Sequence, residues 1–159
     1  MSSTPGAGAQ AVATGPSAPS FNAVTLTGAA VRVPQDYAGK LVLLDFWATW
    51  CPPCRAEIPH LVQANQRFAG RNFEIIGVTL DAGQNVPVAR VEQFVAEQKM
   101  TWPQVYRDAG QIAARFGVTG IPAAFLVDGR TGVILASGEE LRGDALVPTI
   151  EKHLTGRKP

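Results

Sequence analysis

The residues most able to do chemistry are two cysteines three positions apart, in Trp50-Cys51-Pro52-Pro53-Cys54. A pair at this spacing supports a dithiol–disulfide cycle. One thiolate attacks a partner disulfide, and the other resolves the mixed disulfide. The bland alternatives are weaker. A structural disulfide across two residues closes a very small loop and removes little unfolded-state entropy. These are the only two cysteines, so they cannot fill a four-cysteine zinc site. The only histidines, His60 and His153, lie far apart, and His60 reads as a surface residue. No metal and no cofactor is expected.

The surroundings of the pair sharpen its chemistry. It follows the apolar run Leu41–Trp47 and precedes a helical pattern, so it sits at a strand-to-helix junction. A helix N-terminus presents free N–H groups and partial positive charge, which stabilise a thiolate. Cys51, outermost, is the expected nucleophile, and Cys54, one turn in and more buried, the resolving thiol. Pro52 and Pro53 suit the opening of the helix. Pro53 has no N–H to offer the Cys51 sulfur, whereas Cys54 keeps its own. The thiolate is therefore less stabilised than with two ordinary middle residues, which favours a reductant. Pro59 removes a hydrogen bond inside the same helix and predicts a kink.

Two positions outside the motif support the redox reading. Asp45 interrupts the apolar run six residues before Cys51. Burial penalises its charged form, so its pKa is expected to be raised, suiting it to exchange a proton with Cys54 through water. Ile121-Pro122 opens a further strand. A cis bond there would leave neighbouring backbone free to pair with an extended substrate. Trp50, Ile121 and Pro122 form the expected apolar rim. Phe94 and Trp102 read as core or near-core.

The elements that must hold these residues follow from patterning. Ala23–Leu26 and Ala30–Val33 read as short strands around a Thr27-Gly28 turn, and Leu41–Trp47 as a strand buried on both faces. A helix runs from Pro53 to Gly70, with Ile58, Leu61, Val62 and Phe68 on one stripe. Then come strand Phe73–Leu80, helix Val88–Lys99, short helix Ala109–Phe116, strand Ala123–Val127, a turn through Gly129, strand Val133–Ala136 and helix Ala145–Leu154. This order predicts an α/β domain: a central mixed sheet flanked by helices, with an N-terminal β-hairpin extension and a closing antiparallel hairpin.

Composition bounds the rest. The chain has 159 residues, 46% hydrophobic, with a net charge of +1. That suffices for one core and argues against an electrostatic nucleic-acid binder. No apolar run approaches the ~20 residues of a membrane span. Residues 1–20 are almost all Ala, Gly, Ser, Thr and Pro, and read as a disordered tail or linker. The folded domain is expected over residues 21–159. Nothing points beyond a monomer.

Together these residues resemble the thioredoxin superfamily, over Phe21–Leu154. Gly39–Pro59, containing Asp45 and Trp50–Cys54, is similar to bacterial TlpA/ResA-type thiol-disulfide oxidoreductases. The added N-terminal hairpin is also similar. The resemblance implies that Pro122 is the family's cis-proline and Pro59 its kink proline. It implies a protein-disulfide reductase outside the cytoplasm, serving cytochrome c maturation or copper-site assembly. Its partners would be oxidised protein substrates and a membrane or soluble thiol electron donor. Such proteins are commonly membrane-tethered, and residues 1–20 fit a tether remnant; the alternative is a cytoplasmic location. This chain departs from the pattern in three places. Asp45 replaces the asparagine frequent in TlpA-type proteins. Gly77 falls where thioredoxins often place a lysine. Asp81 is the only candidate for the ResA-type glutamate. Two other functions stay open. A thioredoxin-fold binding or chaperone module would use the apolar rim. A thiol peroxidase would need a threonine three residues before its cysteine, where this chain has Ala48.

Overall fold

The computed structural model describes residues 15–156. The elements are β1 (Phe21–Val24), β2 (Ala30–Val33), β3 (Leu41–Trp47), α1 (Pro52–Phe68), β4 (Phe73–Thr79), α2 (Val88–Glu97), β5 (Gln104–Val105), α3 (Ala109–Arg115), β6 (Ala123–Asp128), β7 (Ile134–Ser137) and α4 (Leu146–Thr155). Short 3-10 turns occupy Gln35–Tyr37, Asp81–Gln84, Gly138–Leu141 and Gly143–Ala145.

Five strands form one sheet in the order β5-β4-β3-β6-β7. β3 lies parallel to β4 and antiparallel to β6, and β4 lies parallel to β5. The sheet is therefore mixed, with β3 at its centre. The unbroken apolar run of β3 is explained by burial on both faces. Leu41, Leu43 and Trp47 face one core with α1 and α4, while Val42, Leu44 and Phe46 face another with α3. Phe94 and Val95 of α2 pack against the first core. The thioredoxin-fold architecture expected from the sequence is present, as is the separate β1–β2 hairpin.

Several boundaries differ from the sequence reading. β1 pairs Phe21 with Val33, so it runs earlier than Ala23–Leu26. Thr25 and Leu26 turn instead to the sheet: Thr25 bridges Val105, and the Leu26 N–H donates to the Gln104 carbonyl at 2.9 Å. β5 itself was not expected, because two residues carry no readable period. α1 begins at Pro52, a residue early, and runs through Pro59 without interruption. Pro59 has no N–H to give the Arg55 carbonyl, as the sequence requires.

The segment expected to be disordered lies mostly outside the described residues. Its last residues do not behave as expected. Ser17 bridges Val133, the Ala18 N–H donates to the Gly132 carbonyl at 2.7 Å, and the Ile134 N–H donates to the Pro16 carbonyl at 2.8 Å. The ordered body thus begins before Phe21. Backbone pairing on an open strand edge holds a stretch whose side chains could not order it alone.

Candidate active site

Cys51 caps α1 from an extended conformation (φ −98°, ψ 105°), with Pro52 and Pro53 in the first turn. The Cys54 backbone N–H donates to the Cys51 sulfur at 3.2 Å. It occupies the place in which an N-cap side chain accepts from the third helical residue. The second residue, Pro53, has no donor to contribute. Cys51 and Cys54 are joined as a disulfide, with their Cα atoms 5.2 Å apart. Both are buried, while Trp50 beside them is 43% exposed.

Of the residues expected at the rim, Trp50 adjoins Cys51 in the chain and the Ile121–Pro122 segment lies beside the Cys51 sulfur. The Ile121–Pro122 peptide is cis, as is Val33–Pro34, which the sequence reading did not single out. The Cys51 Sγ lies 3.8 Å from the Ile121 carbonyl oxygen. Two contacts not foreseen link this loop, through the stretch before α4, to α1. Arg142 Nη2 donates to the Pro122 carbonyl at 2.7 Å, and the Gly143 N–H donates to Glu57 Oε1 of α1 at 2.8 Å. Both come from the irregular stretch before α4, where spacing gives no signal.

Asp45 sits on β3 between Gly77 of β4 and Ala124 of β6. It is buried, and its pKa is pushed up to about 7, first by desolvation and then by the Glu57 charge. The raised pKa expected from its place in an apolar strand is present. Gly77 does stand where a lysine side chain would come from β4. The space is already taken: a Cβ at Gly77 would collide with the Gln104 amide from β5. Gln104 Oε1 is fixed in place by the Trp47 indole N–H at 2.9 Å. A neutral amide thus lies in the row beside Asp45, and no cation there lowers its pKa.

Asp81 is fully buried and heavily engaged. Its carboxyl accepts from the Thr49 N–H at 3.2 Å, the Thr49 hydroxyl at 2.6 Å and the Thr79 hydroxyl. Those bonds tie the end of β4 to the residue just before Trp50. Asp81 is therefore a tether for the motif's entrance, a role its position in sequence did not reveal.

A scan of family models matches residues 14–136 to the AhpC/TSA family. The chain belongs to that family. Among its members, ResA thiol-disulfide oxidoreductases are well matched. The protein from Geobacillus kaustophilus is 33% identical over 149 residues, covering 94% of this chain and 80% of the relative. That of Bacillus thuringiensis subsp. konkukian is 31% identical over 140 residues, covering 88% and 76%. Among solved structures, the thioredoxin domain of a thiol-disulfide oxidoreductase from Bacteroides vulgatus superposes with a TM-score of 0.77 at 35% identity, covering 90% of this chain and 99% of that one. A thiol:disulfide interchange protein from Bacteroides sp. gives the same TM-score at 36% identity, covering 92% and 93%. This AhpC/TSA-family chain is a ResA-type thiol-disulfide oxidoreductase, and it carries the cysteine pair that such chemistry requires.

Proposed function

We propose that this oxidoreductase reduces protein disulfides, with Cys51 as nucleophile, Cys54 as resolving thiol and Asp45 as proton acceptor and donor. In the reduced protein the Cys51 thiolate attacks a partner disulfide. A mixed disulfide forms and one partner thiolate leaves. Cys54 passes its proton through water to Asp45 and attacks the Cys51 sulfur, expelling the second partner thiolate. The two leaving thiolates take up two protons, one returned by Asp45 and one from solvent. Two electrons have then moved to the partner, and the Cys51–Cys54 disulfide remains. A membrane or soluble thiol donor must restore the dithiol. Trp50, Ile121 and cis-Pro122 make the rim on which the partner's chain lies, while Pro52, Pro53 and Pro59 frame the helix.

One observation carries the direction. Among the described residues the Cys54 N–H is the one donor to the Cys51 sulfur, and Pro53 has no N–H to add. A thiolate with fewer donors is less stabilised, and the couple is less oxidising. The peroxidase reading loses ground at Ala48, a fully buried methyl where a hydroxyl is needed. We assign the protein to an extracytoplasmic compartment, with oxidised cysteines of cytochrome or copper-site assembly as its clients. The likeness to ResA-type proteins supports that reading.

The test is the reduction potential of the Cys51–Cys54 couple, equilibrated in glutathione and dithiothreitol buffers. A value near or below roughly −270 mV is expected for a reductant. A value near roughly −120 mV would reverse the direction and make the protein an oxidant of folding chains.

A further inference from the structure

Beside the cysteine pair, a cleft of about 520 Å³ opens between the start of α1 and the start of α2. Trp50, Asn85, Pro87 and Phe94 form its walls, and Arg55 and Arg90 are its only charged lining residues. Its place is fixed by the chain: Trp50 precedes the outer cysteine and Arg55 follows the inner one.

The charge in this cleft is one-sided. Arg55 Nη1 donates to the Thr49 carbonyl at 3.2 Å, which steadies the guanidinium and leaves its other N–H groups free of carboxylates. Neither Arg55 nor Arg90 has an ion pair among the described residues, a condition they share with other surface cations such as Arg107 and Arg130; what sets them apart is that they line one cleft together. No acidic residue lies in the first turn of either helix. Asp81 bonds Thr49 from behind the lining and does not itself line the cleft; its charge offsets part of the arginines' but pairs with neither guanidinium. The positive ends of two helices add to the same sign. A net charge of only +1 makes this a local feature rather than a property of the whole surface.

We propose that the Arg55–Arg90 cleft docks an acidic segment of the client protein, flanking the disulfide that Cys51 attacks. The occupant is a polypeptide because it must bring a disulfide to the neighbouring sulfur, and acidic because two unpaired guanidinium groups face it. Such complementarity acts chiefly on encounter rate and choice of partner. The assignment rests on the reading that protein disulfides are the substrates.

It is tested with two disulfide-bonded peptides, identical except for aspartates or lysines flanking one cysteine. The reduced protein is mixed with each, acid-quenched, and the single-turnover rate read by mass. The acidic peptide should react about tenfold faster at low ionic strength, and the two should converge to within about twofold at 0.5 M salt. In the Arg55→Gln/Arg90→Gln protein the preference should fall below about threefold. Equal rates in the unmodified protein at low salt would overturn the docking assignment and leave the reductant reading standing. So would a preference that survives the double substitution. Reduction of neither peptide would overturn both.

Discussion

Asp45 carries a consequence that stability measurements can read. Its folded-state pKa of about 7 lies above the ordinary 3.8. Below pH 4 both folded and unfolded states hold the proton, and the group costs nothing. As pH rises towards 7 the unfolded chain ionises first, so stability is lost across that window and then levels off. Asp45→Asn in the oxidised protein should remove this slope. The variant is expected to match the parent near pH 4 and exceed it by about 4 kcal/mol at pH 8.5. Urea unfolding at the two pH values checks this, and an advantage independent of pH would contradict it. The residue was legible in the sequence because a carboxyl group inside Leu41–Trp47 has few bland explanations. Its neighbour was not: the amide that fills the lysine's place comes from Gln104, 59 positions later, and nothing local in the sequence links the two.

Among the elements, the turn after β4 does the least obvious work. Asp81 accepts three hydrogen bonds from Thr49 and Thr79, so the end of β4 is tied to the segment entering α1. Asp81→Ala would leave buried donors unmatched and is expected to lose about 2–4 kcal/mol of stability. The loss should be largely recovered by Asp81→Asn, which keeps an acceptor oxygen. Denaturant midpoints of the two variants would show it, and equal losses would contradict the tether. Elements with a long period were legible: β3, α1, β4, α2 and α4 fall within a few residues of their expected ends. Those that lack one were not. β5 has two residues, and the 3-10 turns over Gly138–Ala145 form through partners distant in sequence, such as Glu57.

On the scale of the whole molecule, the active-site motif could be read before the fold because its chemistry constrains its neighbours. The cysteine pair demanded a helix start, the helix start demanded a buried strand before it, and both are present. The last residues of the N-terminal stretch, 16–18, were not legible for the opposite reason. Its composition says nothing of the backbone pairing that captures it. Residues 16–18 lie along the β6–β7 turn, and residues 25–26 lie along β5, at the other end of the sheet.

One short length of chain thus reaches both lateral margins of a five-stranded sheet. Bare margins are where strands from other molecules add on. Paired backbone at both margins leaves fewer free N–H and C=O groups there for another chain to use. A protein trimmed to begin at Phe21 would uncover the β7 side while leaving Cys51 and Cys54 untouched. It should keep its redox cycle yet cluster at concentrations where the longer chain stays dispersed, an outcome that light scattering of the two lengths would reveal.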